Sequence, residues 1–113
     1  MVDGLVEIGA APAEGQALGG RVRLADGREL DLILVRWRGK VHAWKNRCPH
    51  TGVNLEWFPN QFWDPEGRHL QCATHGALFR PDDGHCVFGP CAGQALTPVA
   101  VVERNGALFL IQP

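Results

Sequence analysis

Two short stretches concentrate the residues that can bind metal or carry redox chemistry. In RCPHTGVNLEW, residues 47–57, His50 lies two positions after Cys48. In QCATHGALF, residues 71–79, His75 lies three positions after Cys72. Both pairs sit in turn-like settings, Cys-Pro-His-Thr-Gly and Cys-Ala-Thr-His-Gly, in a chain with only four cysteines and five histidines. One reading is buried thiols and scattered histidines with no metal. A second is a structural zinc held by two Cys and two His. Zinc accepts those ligands, but its common pattern pairs Cys with Cys and His with His on local turns. Here each turn supplies one of each, and the first pair has a single residue between its members.

The mixing suits a third arrangement, in which two thiolates bind one iron and two imidazoles bind another. A turn giving one Cys and one His then spans the unit, and two facing turns fill all four positions. On these residues the sequence resembles the Rieske iron–sulfur family, with C-x-H as Cys48-Pro49-His50 and C-x-x-H-G as Cys72-Ala73-Thr74-His75-Gly76. The likeness continues with Phe79 and with GPCAG at 89–93, similar to the family's proline-containing third loop; it covers residues 46–96, and the flanks match only in β character. It implies a Rieske-type [2Fe-2S] cluster, with Cys48, His50, Cys72 and His75 as its ligands and no catalytic residue. Two departures touch the local shape around such a cluster. Ala73 stands where many members have Pro, and the spacer carries a long EWFPNQFWDPEGR segment (56–68).

The subclass is argued from missing groups. High-potential members have a Ser just after His-Gly and a Tyr two residues later, whose hydroxyls donate to cluster sulfur. Here these positions are Ala77 and Phe79, and the chain has no Ser and no Tyr. Rieske potentials run from roughly −150 to +300 mV and depend partly on hydrogen bonds to sulfur, so the low end is expected, with Thr51 or Thr74 able to restore part of the effect. The disulfide between cluster loops of high-potential members is impossible, because Val53 and Thr74 occupy its positions. Cys86 and Cys91 are expected as small, buried, reduced side chains, with a disulfide or an extra metal site as alternatives. His42, His69 and His85 are dispersed and are expected at strand ends or on the surface. The resemblance therefore implies a ferredoxin-like electron carrier between a reductase and an acceptor oxygenase or similar redox protein. A small Rieske subunit of a larger redox enzyme and a non-redox zinc-binding interaction module are the alternatives. Trp57, Phe58, Phe62 and Trp63 are candidates for an apolar docking rim or for packing over the cluster loops.

The elements that must position these residues read as all-β. Gly and Pro number 14 and 8 of 113 residues, and no window of a dozen residues keeps a helical period free of them or of other turn signals. RVRLA (21–25) and ELDLILVRW (29–37) flank Asp26-Gly27, and PVAVVER (98–104) and ALFLI (107–111) flank Asn105-Gly106, both strong hairpin signals. KVHAWK (40–45) follows a turn at Arg38-Gly39. In ELDLILVRW the alternation of Leu30, Leu32 and Leu34 with Asp31, Ile33 and Val35 predicts one buried face and one partly buried. Residues 1–113 are expected to form a single Rieske domain, an antiparallel β sandwich or barrel scaffold from about 1–45 and 95–113 with a loop-rich cluster-binding subdomain, 46–94, inserted. Eleven basic against twelve acidic residues give a net charge of −1, with no general electrostatic reason to bind nucleic acid or a membrane surface. No secretory signal or membrane-length apolar run is visible. A cytoplasmic monomer is expected.

Overall fold

The computed structural model describes residues 4–49, 52, 54–56, 58, 60–74 and 76–111. Among these there is no helix; nine strands form three antiparallel three-stranded sheets. The first sheet has the order β1-β9-β8, built from Leu5–Ala10, Ala107–Ile111 and Val101–Arg104. The second has the order β2-β3-β4, built from Ala17–Arg23, Glu29–Trp37 and Lys40–Lys45. The third is small: β5 (Leu70–Gln71), β6 (Leu78–Phe79) and β7 (Cys86–Phe88), in that order. The hairpins expected at Asp26-Gly27, Arg38-Gly39 and Asn105-Gly106 form, and the all-β class holds.

β3 is the strand on which the molecule is organised. Its neighbours pair with it on both edges, Leu34 opposite Leu18 on β2 and opposite Ala43 on β4. Successive side chains point to opposite faces of a strand, and here the two faces enter two different cores. Leu32 and Leu34 pack with Val22, Ala43, Leu108 and Leu110, beneath the first sheet. Ile33 and Val35 pack with Trp44, Phe62, Phe79 and all four cysteines, on the side of the third sheet. Leu32, Ile33 and Val35 are wholly inaccessible and Leu34 is 2% exposed. The second face, expected to be partly buried, is thus fully buried over 32–35. Its cover comes from segments far away in sequence, which alternation within one strand cannot register.

Side chains and backbone outside the ladders hold the sheets in place. Arg38 opens the β3–β4 turn at a φ of 53°, a costly value for a residue with a side chain. The Glu14 carboxylate accepts the N–H groups of Arg38 (2.8 Å) and Gly39 (2.7 Å) and offsets that cost. Arg36 donates to Glu103 (2.7 Å) and to the Pro12 carbonyl (2.8 Å), joining β3 to β8 and to the segment between β1 and β2. After the third sheet the chain returns along the free edge of β4, where Lys45 N–H reaches the Thr97 carbonyl and Val99 N–H the Ala43 carbonyl.

Truncating the two faces of β3 separately should show their separate jobs. Ile33→Ala and Leu34→Ala should each lower stability by about 2–5 kcal/mol, the usual range for emptying a buried aliphatic site. Urea unfolding of the purified variants checks this, and a loss under about 1 kcal/mol at either position would contradict the two-core arrangement.

Candidate metal centre

The first Cys-containing loop leaves β4 and is fixed at its base by a side chain that sequence reasoning missed. Asn46 is 5% exposed. Its carbonyl oxygen accepts the Leu55 N–H (2.8 Å), its amide donates to Glu56 (2.8 Å), and its own N–H donates to the Asp31 carbonyl (2.8 Å). One buried amide thus closes the loop from 46 to 55 and anchors it to β3. The only sequence signal was a polar residue directly after an apolar strand, a weak one. The second loop joins β5 to β6, and Cys72 N–H donates to the Ala77 carbonyl across its base (2.9 Å).

The two loops share one backbone device. Gly52 N–H donates to the Cys48 carbonyl and Gly76 N–H to the Cys72 carbonyl, each at 2.8 Å. Both glycines have left-handed φ, 77° and 71°, which residues with a Cβ adopt at a cost. Each cysteine therefore opens a five-residue turn that its glycine closes. The second turn is tied to the first loop, just beyond that loop's own turn, by Ala73 N–H donating to the Leu55 carbonyl at 2.7 Å. Cys48 is 1% exposed and Cys72 is inaccessible, and both belong to the packed cluster that contains Leu55, Phe62 and Phe79.

His50 and His75, with Thr51, Val53, Trp57 and Pro59, lie outside the described residues. Among the described residues no three Cys, His, Asp or Glu side chains form a metal-donor group. What is described is the sulfur half of the expected ligand set: two buried thiols, one from each of two cross-tied loops. That chemistry fits a centre taking one thiolate from each loop.

The sequence profile of the family described as "Rieske [2Fe-2S] domain" matches residues 11–104. The chain belongs to this family. Oxidoreductase NdmD of Pseudomonas putida is 39% identical over 83 residues, a match that covers 65% of this chain and 13% of the relative. Among solved structures, the ferredoxin of carbazole 1,9a-dioxygenase from Nocardioides aromaticivorans IC177 superposes with a TM-score of 0.70 at 20% identity, covering 96% of this chain and 98% of that one. The Sphingomonas yanoikuyae B1 ferredoxin gives 0.69 at 19% identity, covering 95% and 97%. The terminal oxygenase of carbazole 1,9a-dioxygenase from Novosphingobium sp. KA1 gives 0.67 at 24% identity, covering 96% of this chain and 30% of the oxygenase. At these identities the structural likenesses show a shared fold. Among the described residues no helix is long and apolar enough to cross a membrane.

The third loop of this Rieske domain presses on the second. Gly89 has a φ of 104°, and a Cβ there would stand 2.8 Å from the Ala77 Cα. The loop is closed by Cys86 N–H to the Gln94 carbonyl (2.8 Å) and by Gln94 N–H to the Cys91 carbonyl (2.9 Å). Inside it Cys86 and Cys91 are free thiols with their sulfurs 3.0 Å apart. Burial, then the Cys86 thiol beside it, push the Cys91 thiol up to about 12. Ala77 and Phe79, expected at the positions where high-potential members carry hydroxyls, are buried, whereas Thr74 is exposed.

The aromatic segment divides. Phe62 is inaccessible and belongs to the core, so it is no part of a rim. Trp63 packs against that core with its ring 5.5 Å from Trp37. Phe58 is 62% exposed. Val87 and Phe88, beside the third loop, add exposed apolar surface that sequence reasoning missed, because a two- or three-residue strand has no legible inside and outside. Asp64 organises the turn from 64 to 69, its carboxylate accepting the N–H groups of Arg68 and His69. Burial raises its pKa, but these hydrogen bonds outweigh burial and leave it below the usual carboxylate value. His42 is half-buried and stacked on Trp44, and burial lowers its pKa. His69 is half-buried and His85 exposed.

Two glycines of the third loop make a paired test. Gly89→Ala meets both backbone strain and the Ala77 backbone, whereas Gly93→Ala, at a φ of 92°, meets nothing within 4 Å. Gly93→Ala should cost about 1 kcal/mol from strain alone, and Gly89→Ala should add about 1–3 kcal/mol of overpacking. Denaturant midpoints measure the difference; equal costs would show that the third loop does not bear on the second.

Proposed function

We propose that this chain is a one-electron carrier in which Cys48 and Cys72 bind one iron of the Rieske cluster and His50 and His75 bind the other. When bound, the cluster supplies a single reversible electron. The supporting observation is the pair of matched Cys-to-Gly turns, in cross-tied loops, that place both sulfur donors in one dry core. Around them Leu55, Phe62, Phe79 and Leu96 exclude water from the sulfur side, and the third loop covers it from above through the Gly89–Ala77 contact. Electron transfer is assigned without substrate chemistry, in keeping with membership of the Rieske [2Fe-2S] domain family. The division into a scaffold (1–45 and 95–113) and a cluster-binding insertion (46–94) within one domain goes with this reading.

The acceptor is assigned as an oxygenase component or similar redox protein, with a reductase as donor. Support comes from the fold shared along nearly the whole length of two ferredoxins, and from a structural match described as a complex of reduced oxygenase and oxidised ferredoxin in carbazole 1,9a-dioxygenase. Phe58, Val87 and Phe88 supply exposed apolar area for short-range docking, which suits a surface of near-zero net charge. A second reading has its own support: the chain spans 13% of the curated relative it matches and 30% of the terminal oxygenase, so the same fold also serves as a module inside larger redox chains. Free thiols at 86 and 91 accord with a reducing compartment such as the cytoplasm.

The potential is assigned to the lower half of the family range because buried Ala77 and Phe79 offer no hydroxyl to cluster sulfur. The purified protein should hold two iron and two sulfide per chain, a stoichiometry set by the cluster type. Voltammetry near neutral pH should place its midpoint below about +75 mV, the centre of the range quoted for such centres. His50→Ser and His75→Ser should abolish the EPR signal of the reduced protein, while His42→Ser should keep it. A colourless protein holding one zinc, or a signal lost with His42 and kept without His75, would refute the assignment. Reduction by a candidate reductase and reoxidation by its oxygenase, followed optically, test the partners.

A further inference from the structure

Cys86 and Cys91 have no part in the proposed ligand set, yet their sulfurs are in direct contact. Their Sγ atoms are 3.0 Å apart, with Cys86 at 1% and Cys91 at 0% exposure. Ordinary disulfides have sulfurs about 2.05 Å apart, so closing the gap asks for about 1 Å of side-chain movement. The backbone is already folded for it: Cys86 N–H is bonded to the Gln94 carbonyl, Gln94 N–H to the Cys91 carbonyl and Ala92 N–H to the Gly89 carbonyl. The Cys86 sulfur also lies 3.3 Å from the Phe88 carbonyl, which fixes its direction inside the loop. Two thiols preset at this separation within a closed loop differ from two small side chains that merely fill space.

We propose that Cys86 and Cys91 form a reversible disulfide that locks the third loop against the second, a modification site separate from the cluster ligands. The oxidant is a small-molecule disulfide such as oxidised glutathione. One thiolate attacks it, releasing one glutathione thiol and leaving a mixed disulfide. The second protein sulfur displaces the other glutathione. Two S–H bonds of the protein are lost and one S–S bond forms; the small disulfide takes up both electrons and both protons as two thiols. Because both sulfurs are buried, exchange waits on opening of the 86–94 loop and is slow. In the closed form Gly89, which lies between the two cysteines, is pinned over Ala77, so the loop covering the sulfur side can no longer lift.

The experiment uses the purified protein with its visible chromophore intact. It is equilibrated in oxidised or reduced glutathione, blocked with N-ethylmaleimide under denaturing conditions, and digested with a protease that cleaves before Asp. The peptide 83–113 carries both cysteines and neither Cys48 nor Cys72. After oxidation it should be unlabelled and two hydrogens lighter than its dithiol form, with the visible spectrum retained; after dithiothreitol it should carry two labels. In the Cys86→Ser variant the same peptide should carry one label or one glutathione and never the lighter mass. A peptide that stays doubly labelled in oxidised glutathione, or that becomes oxidised only as the chromophore bleaches, overturns the proposal. A Cys86→Ser protein that failed to fold would leave the wild-type mass shift and its reversal to decide.

Discussion

A single strand has to satisfy two interiors at once. The Ile33 and Val35 side of β3 faces the thiols and aromatic rings, and the Leu32 and Leu34 side faces the first sheet. Neither core would be closed without this shared wall. The segment that carries the cysteines has only two- and three-residue strands of its own, too little ladder to fold independently. Its order is therefore borrowed, through apolar contact with β3 and Trp44 and through Asn46, which hydrogen-bonds to both the loop and the strand.

Backbone accounting explains how turn-rich chain can be buried around sulfur. Buried N–H and C=O groups need partners. Here they find them in the two Cys-to-Gly bonds, in the Ala73–Leu55 tie and in the closure of the third loop by Cys86 and Gln94. Among the described residues no buried side-chain nitrogen or oxygen lacks a partner. The thiols sit where a polar group with stronger hydrogen-bonding demands would be costly, among Leu55, Phe62 and Phe79.

How much of this could be read from residues alone depended on length scale. β3, β4 and β9 were legible to the residue because each has several β-branched or aliphatic side chains between unambiguous turns. β1 carries little signal: its LVEIGA pattern is half-buried, and its register shifts between Glu7 and Gly9. The third sheet was hidden because strands of two or three residues fall below any usable period. The cysteine and histidine spacing carried the family, whereas the supports did not announce themselves. Asn46 looks like any loop polar residue until its three partners are seen, and Phe62 differs from Phe58 only by where the chain happens to turn. The Gly89–Ala77 contact joins residues twelve positions apart, which no local signal records.

The tie between Ala73 and Leu55 would bear on the speed of electron transfer under the proposed function. Two loops hinged separately would let their sulfur atoms relax by different amounts if the charge they hold changed. Joined at the backbone, and each closed by its own glycine, they would shift together. With the proposed cluster bound, little nuclear rearrangement would then accompany a change of oxidation state. A small reorganisation of this kind would lower the activation barrier for electron exchange in both directions, whichever protein stands opposite.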